Sequence, residues 1–385
     1  MSEFRTIREL CSVVVDCPHS TPKWTANGKI VIRNKNIKHG KIDFSSPSYT
    51  DDEHFAQRIK RAKPQPGDII ITREAPIGDV GMIPENTECC LGQRMVLLRA
   101  NQSVCDNFYL LYSLQSLYVQ HQISWSEGTG TTVSNLRIPH LEQIQIPYLP
   151  LEQQAKISSV LRALEEKIEN NRRLNDNLQQ QAMSLYAEMF LNSSDSNVTS
   201  GTLSDIAVIT MGQSPSGSSY NEDGVGEVFY QGRAEFGFRF PKRRLFTTEP
   251  KRMAEAGDVL LSVRAPVGDL NIAYERCCIG RGLGAIHSKT GHSSFILYTM
   301  LALRSQLDVF NGEGTVFGSI NRDALNAIPI DIPPVTEIDQ FEVVAHPIDE
   351  LIRANYEENC RLEAIRDSLL PKLMSGEIDV SAVQL

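Results

Sequence analysis

Two stretches of this 385-residue chain, 151–190 and 335–374, carry the same long heptad pattern 184 positions apart. In the first, Ile157, Leu161, Leu164, Ile168, Asn171, Asn175, Leu178, Ala182, Leu185 and Met189 follow alternating steps of four and three, the spacing of a coiled-coil seam. In the second, Phe341, Ala345, Ile348, Ile352, Asn355, Asn359, Leu362, Arg366, Leu369 and Leu373 take the same places, both asparagines included. Two helices so matched within one chain are expected to pack antiparallel on each other. The first runs about 50 Å at about 1.5 Å per residue, longer than most globular domains are wide, so it reads as a spacer. Asn171, Asn175, Asn355 and Asn359 are expected to pair across the seam, setting register at some cost in stability; surface positions on a locally irregular seam are the alternative. Pro347 falls inside the second pattern and is expected to kink or interrupt that helix near Ala345.

The duplication extends beyond the helices. Gly67-Asp68, the apolar run after it and Ala75-Pro76-Ile77-Gly78-Asp79 match Gly257-Asp258, its own apolar run and Ala265-Pro266-Val267-Gly268-Asp269. Cys89-Cys90-Leu91-Gly92 matches Cys277-Cys278-Ile279-Gly280, and the stretch 130–150 matches 314–334. Repeats on this scale fix the architecture before any local reading does. Gly-Asp ahead of a short apolar run predicts a turn feeding a buried strand, and 144–150 and 328–334 read as extended because proline disfavours helix in the residue before it. Short helices are expected over 108–122 and 294–306. The boundaries that follow are a mixed domain over 1–150, a spacer helix over 151–192, a second mixed domain over 193–334 and a second spacer helix over 335–385.

Composition excludes several classes. At 41% hydrophobic and 22% charged the chain is of ordinary globular type, and with no apolar run of about 18 residues no membrane span is expected. The first residues lack the basic-then-apolar pattern of a secretion signal, so a cytoplasmic location is expected. The adjacent pairs Cys89-Cys90 and Cys277-Cys278 lack the spacing that converges thiolates on zinc, so reduced, buried thiols and no metal are expected. The net charge of −9 is concentrated in the last helix: residues 334–385 hold 4 basic and 11 acidic groups. Basic residues cluster elsewhere, at Lys29, Arg33, Lys35, Lys38 and Lys41, at Arg58, Lys60, Arg61 and Lys63, and at Arg239, Lys242, Arg243 and Arg244. Global acidity therefore leaves room for a local basic face, although each run is equally readable as a solvated loop.

Catalytic apparatus is missing from the sequence. There is no phosphate-binding loop, no nucleophile elbow and no Asn/Asp-Pro-Pro-aromatic tetrapeptide of adenine methyltransferases. The glycines of Gly280-Arg281-Gly282-Leu283-Gly284 lack a dinucleotide-site context and read as turns. Asp68, Asp79, Asp258 and Asp269 each follow a turn glycine, where a carboxylate accepts from backbone amides rather than doing chemistry.

With this architecture in hand, the chain resembles the specificity subunits of type I restriction-modification systems over essentially its full length. Ile146-Pro147-Tyr148-Leu149-Pro150-Leu151-Glu152-Gln153-Gln154 leading into the helix looks like that family's central region, and Leu369-Leu370-Pro371-Lys372-Leu373-Met374-Ser375-Gly376-Glu377-Ile378 is similar to its ending. The two Gly-Asp motifs resemble the core of its target-recognition domains. Thr336-Glu337-Ile338 departs from the Glu152-Gln153-Gln154 pattern. The resemblance implies an α+β fold: two tandem mixed α/β target-recognition domains separated by two long antiparallel coiled-coil helices with pseudo-two-fold symmetry. It implies a non-catalytic chain that reads a bipartite double-stranded DNA target and carries no cofactor itself. S-adenosylmethionine would belong to DNA-methylation subunits, expected in two copies, and ATP and Mg to restriction and translocase subunits.

Base readout favours arginine on guanine and asparagine or glutamine on adenine, while lysine and arginine clusters contact phosphate. The candidates are Arg33, Asn34, Lys35, Lys38, Lys41, Arg73, Gln93, Arg94, Thr131 and Asn135 in the first domain. In the second they are Gln231, Arg233, Arg243, Arg264, Arg281, Thr315 and Asn321. Asn135 and Asn321 read equally well as helix caps, and Arg73 and Arg264 as partners of local acids. Two rival functions stand beside this one: a methyltransferase or nuclease in its own right, disfavoured by the missing motifs, and a protein-interaction scaffold that never touches DNA, favoured by the negative charge.

Overall fold

The computed structural model describes residues 3–38, 40–125, 135–192, 198–311 and 318–380. Gly67 takes a φ of 84° and Asp68 turns back to accept from the Gln65 amide at 2.8 Å, which launches strand Ile69–Arg73. Gly257, at φ 89°, and Asp258, accepting from the Glu255 amide at 2.8 Å, launch Val259–Ser262 in the same way. Each strand is the third of four in an antiparallel sheet. The first sheet runs Cys11–Asp16, Met95–Ala100, Ile69–Arg73, Ile77–Met82; the second runs Ala207–Met211, Leu283–Ser288, Val259–Ser262, Leu270–Ile272. The strand order is the same, as the sequence repeat requires.

These strands are apolar without alternation because both faces are covered. In the first, Ile69 and Ile71 pack with Tyr109, Leu110 and Leu114, while Ile70 faces Ile32, Ile37 and Leu97. In the second, Val259 and Leu261 pack with Phe295 and Leu297, and Leu260 packs with Tyr230 and Ile279. A smaller sheet in each half pairs a strand in parallel with the Cys-Cys strand, Lys29–Ile32 with Cys89–Leu91 and Glu227–Tyr230 with Cys277–Ile279. The extended stretches are strands Gln145–Tyr148 and Pro329–Ile332, paired with Glu3–Thr6 and Thr199–Thr202. The short helices expected there come as two in each half: Asn107–Gln115 then Leu117–Ser124, and Ser293–Ala302 then Arg304–Asp308. Ser116 makes the first break, its hydroxyl accepting from the Val119 amide, a capping role a serine favours over helix interior.

The heptad stretches are helices Leu151–Tyr186 and Val335–Met374. The chain divides into two units, 1–170 with 358–385 and 171–357, so each unit takes part of both helices. In the first unit Ile157 and Leu161 join a core that also holds Leu373 and Met374. In the second, Ala182 and Tyr186 join one that holds Phe341 and Ala345. The seam asparagines are all buried. Asn359 donates to the Ile168 carbonyl at 3.3 Å in the first unit, and Asn175 donates to the Ile352 carbonyl at 3.3 Å in the second. Shifting one bond by 184 and exchanging the helices gives the other. Asn355 also donates to Asn175 Oδ1 at 2.8 Å.

The interruption expected at Pro347 is absent: the C-terminal helix runs unbroken from Val335 to Met374. Proline removes the bond to the carbonyl four residues earlier, and here that residue, Val343, is 74% exposed, on a face of the helix open to solvent. The helix bonds differently to each globular core. Asp106 caps helix Asn107–Gln115 by accepting from the Tyr109 amide, and Ser158 of the central helix donates to Asp106 at 2.5 Å. In the second half the cap position is His292, and Glu342, the counterpart of Ser158, supplies the carboxylate to the Ser294 and Phe295 amides at 3.1 and 3.0 Å.

Candidate nucleic-acid interface

Loops at one end of the first four-stranded sheet converge into a rim. The Gly92 amide donates to the Ile32 carbonyl at 2.7 Å, the Arg73 amide to the Arg94 carbonyl at 2.8 Å, and the Leu136 amide to the Arg73 carbonyl at 3.0 Å. Arg33, Asn34, Arg73, Gln93, Arg94 and Asn135 are thereby brought together. Glu74 sits among them: its carboxylate accepts from Asn135 Nδ2 at 2.7 Å and pairs with Arg94 at 3.3 Å, and its carbonyl accepts from Asn34 Nδ2 at 2.6 Å. Arg33 extends over the Trp24 ring at 5.0 Å, an exposed cation and aromatic pair of the kind that suits a nucleic-acid surface.

The second half frames its rim with the same backbone bonds from the same places. The Gly280 amide donates to the Tyr230 carbonyl at 2.8 Å, Gly282 to Gln231 at 3.2 Å, and Val263 to Gly282 at 2.9 Å. A Cβ at Gly280 would stand 2.9 Å from the Gln231 backbone and one at Gly282 would stand 2.8 Å from the Gln231 carbonyl oxygen. The two glycines therefore permit a close backbone approach that leaves Arg281 projecting between them. Gln231, Arg264 and Arg281 are exposed and have no side-chain partner among the described residues.

The remaining candidates divide by what holds them. Arg73 is a correction: 11% exposed, it donates to both Asp16 oxygens at 2.9 Å, to the Leu136 carbonyl at 2.8 Å and to Asn135 at 3.1 Å, which leaves little of its fork for a base. Asn321 is another, because its Oδ1 accepts from the Ala324 amide at 2.9 Å and caps helix Arg322–Asn326. Arg233 pairs with Asp269, which also takes Arg304 at 2.8 Å, and Arg243 pairs with Glu275. Asp269 thus binds arginines and not turn amides. Lys35 reaches Ser46 at 3.2 Å, Lys38 stands 3.8 Å from Asp43, and Lys41 meets Glu169 of the central helix at 3.1 Å. Exposed pairs of this kind are worth about 0–1 kcal/mol and give way readily to phosphate. Gln93 donates to the His19 carbonyl and to Thr21. Thr131 and Thr315 lie outside the described residues.

Two of the basic clusters hold buried members that sequence reasoning placed on the surface. Arg239 is 4% exposed, pairing with Asp349 at 2.9 Å and donating to Gln179 at 3.0 Å. Arg58 is 6% exposed and makes only backbone contacts. The Gly-Asp carboxylates, by contrast, are framework as expected: Asp68 holds Arg99 at 2.7 Å and Asp258 holds His287 at 2.6 Å, each from the neighbouring strand. Seven cysteines are buried and free, and burial pushes the Cys89 and Cys277 thiols up to about 12.

A repeated domain with a donor-rich rim in each copy defines a tandem-repeat recognition protein. The sequence matches the family described as the type I restriction modification DNA specificity domain over residues 3–180 and 195–359, and the chain belongs to that family. It is 28% identical to the MjaX type I restriction enzyme specificity subunit of Methanocaldococcus jannaschii, over 98% of this chain and 94% of that protein. It is 24% identical to the MjaIX specificity subunit of the same organism, over 82% of this chain and 78% of that one. Among solved structures, the type I restriction-modification S subunit from M. genitalium matches with a TM-score of 0.60 at 19% identity, covering 97% of this chain and 96% of that one. That last likeness bears on the fold. No described helix is long and apolar enough to cross a membrane.

Proposed function

We propose that this chain is the DNA-reading component of a type I restriction-modification complex, with each rim contacting one half of a split duplex target. The observation that carries the reading is a repeated framework with unrepeated rims. The turns, buried strands and Cys-Cys strands match between halves, but Glu74 stands where the second half has Arg264, and Gln93-Arg94 where it has Arg281-Gly282. A shared scaffold with different hydrogen-bonding edges is what two different half-sites call for. Arg33, Lys35, Lys38 and Arg243 supply phosphate contacts, which give affinity that falls steeply with salt; Gln93, Arg94, Gln231, Arg264 and Arg281 are placed for base edges.

The chain itself is non-catalytic in this reading. Methylation subunits bearing S-adenosylmethionine dock on the helix pair, and restriction and translocase subunits using ATP and Mg join for cleavage, in the cytoplasm. The test is a gel shift of the full chain on randomised duplexes at low salt, with and without its methylation partner, followed by sequencing of the retained DNA. A bipartite motif in the retained pool is the expected result. Failure to retain any duplex in either arm supports the scaffold instead, and methyl transfer by the isolated chain supports an enzyme.

A further inference from the structure

Arg58 ends helix Asp52–Arg58, which follows strand Ser48–Thr50; in the second half the counterpart of that strand, Phe246–Thr247, is followed by strand Met253–Ala254 instead of a helix. Its guanidinium is buried and forks to four carbonyls. Nε donates to Leu91 at 2.7 Å, one terminal nitrogen to Ser20 at 2.9 Å, and the other to Gly92 at 2.8 Å and Pro18 at 3.1 Å. No carboxylate pairs with it among the described residues, and burial lowers its pKa from the ordinary arginine value while leaving it charged. A buried cation is costly unless hydrogen bonds replace its hydration, and here four backbone carbonyls do so and are fixed by it.

What it fixes is the seat of the rim. Pro18 and Ser20 belong to the loop after strand Cys11–Asp16, and Leu91 and Gly92 directly precede Gln93 and Arg94. Gln93 bonds back to His19 and Thr21 of the same loop, and the Gly92 amide bonds to Ile32, next to Arg33. The planar fork thus ties two loops that carry the first domain's exposed donors, a geometry that the point charge of lysine cannot reproduce. We infer that Arg58 is a positioning residue for target discrimination by the first domain, acting through Gln93 and Arg94 without touching DNA. The inference rests on the function proposed above.

The experiment expresses the full chain carrying Arg58→Lys or Arg58→Met with its methylation subunits in cells and maps methylated adenines genome-wide. One half-site of the motif should relax, with methylation at single-base variants of that half rising about ten-fold relative to the parent site, the discrimination of about one base-pair contact. The other half-site should hold, and the Arg58→Lys protein should stay folded with a lowered melting temperature. Unchanged logos in both halves with folded Arg58→Met overturn the inference, as do equal losses in both halves or insolubility of both variants, which mark a role confined to folding. A wild-type complex that yields no bipartite motif overturns the proposed function, and the inference with it.

Discussion

Asp68 and Asp258 occupy one position for one reason and yet take different partners, Arg99 in one half and His287 in the other. The carboxylate that closes a turn was legible from Gly-Asp; its cross-strand partner was not, because residues 31 and 29 positions away are brought alongside by sheet register alone. Glu88 shows a charge effect that can be measured. Hydrogen bonds first from Lys29 and then from Lys63 hold its carboxyl at about 2, below the ordinary glutamate value of about 4.5. A depressed carboxylate stabilises the fold fully above its unfolded value and loses that contribution as pH falls through the folded one. The contribution of Glu88 should therefore be intact above about pH 4.5 and gone by about pH 2. A carboxylate chemical-shift titration should find a midpoint near 2 that moves upward in high salt, since the group is exposed; a midpoint near 4.5 at low salt would show that the two lysines do not hold it.

At the level of elements, the seam asparagines were predicted from spacing, and burial explains why they must pair: an unpaired amide there has no water to turn to. Asn355→Ala deprives Asn175 Oδ1 of its donor at a site 4% exposed, which should cost about 1–3 kcal/mol in urea unfolding of the full chain. Replacing Asn175 and Asn355 together by leucine should recover most of that loss; a double variant no more stable than the single would mean the pair is not the source. Pro347 does not interrupt its helix, because the cost of a helical proline depends on whether the freed carbonyl meets protein or solvent. Pro347→Ala should raise stability by about 1–3 kcal/mol, the lower end reflecting the exposed position of Val343, and a fall in melting temperature would count against that account. The departure at Thr336-Glu337-Ile338 also has an explanation in the fold. Gln154 bonds the Asp106 amide and the Val104 and Leu149 carbonyls, whereas the second half anchors its helix one turn further on, through Glu342.

For the whole molecule, the heptad repeat gives the proposed spacing function a direct test. Seven residues inserted after Arg172 and after Tyr356, equivalent positions in the two helices, keep the seam in phase and add about 10 Å of helix. The half-sites of the methylated motif should move apart by about three base pairs, taking about 3.4 Å per pair. Adenine mapping that returns the parental spacing would rule out the helix pair as the ruler.

The duplication, the heptad seam, the Gly-Asp turns and the strands they feed could all be read from the chain, because each is written in local spacing and repeated. Burial of Arg58 and Arg239, the commitment of Arg73 to Asp16, the cap at Asn321 and the unbroken helix through Pro347 were decided by the tertiary structure. A cation's role is set by which distant oxygens reach it and how much water remains, and neither quantity is carried by sequence neighbours.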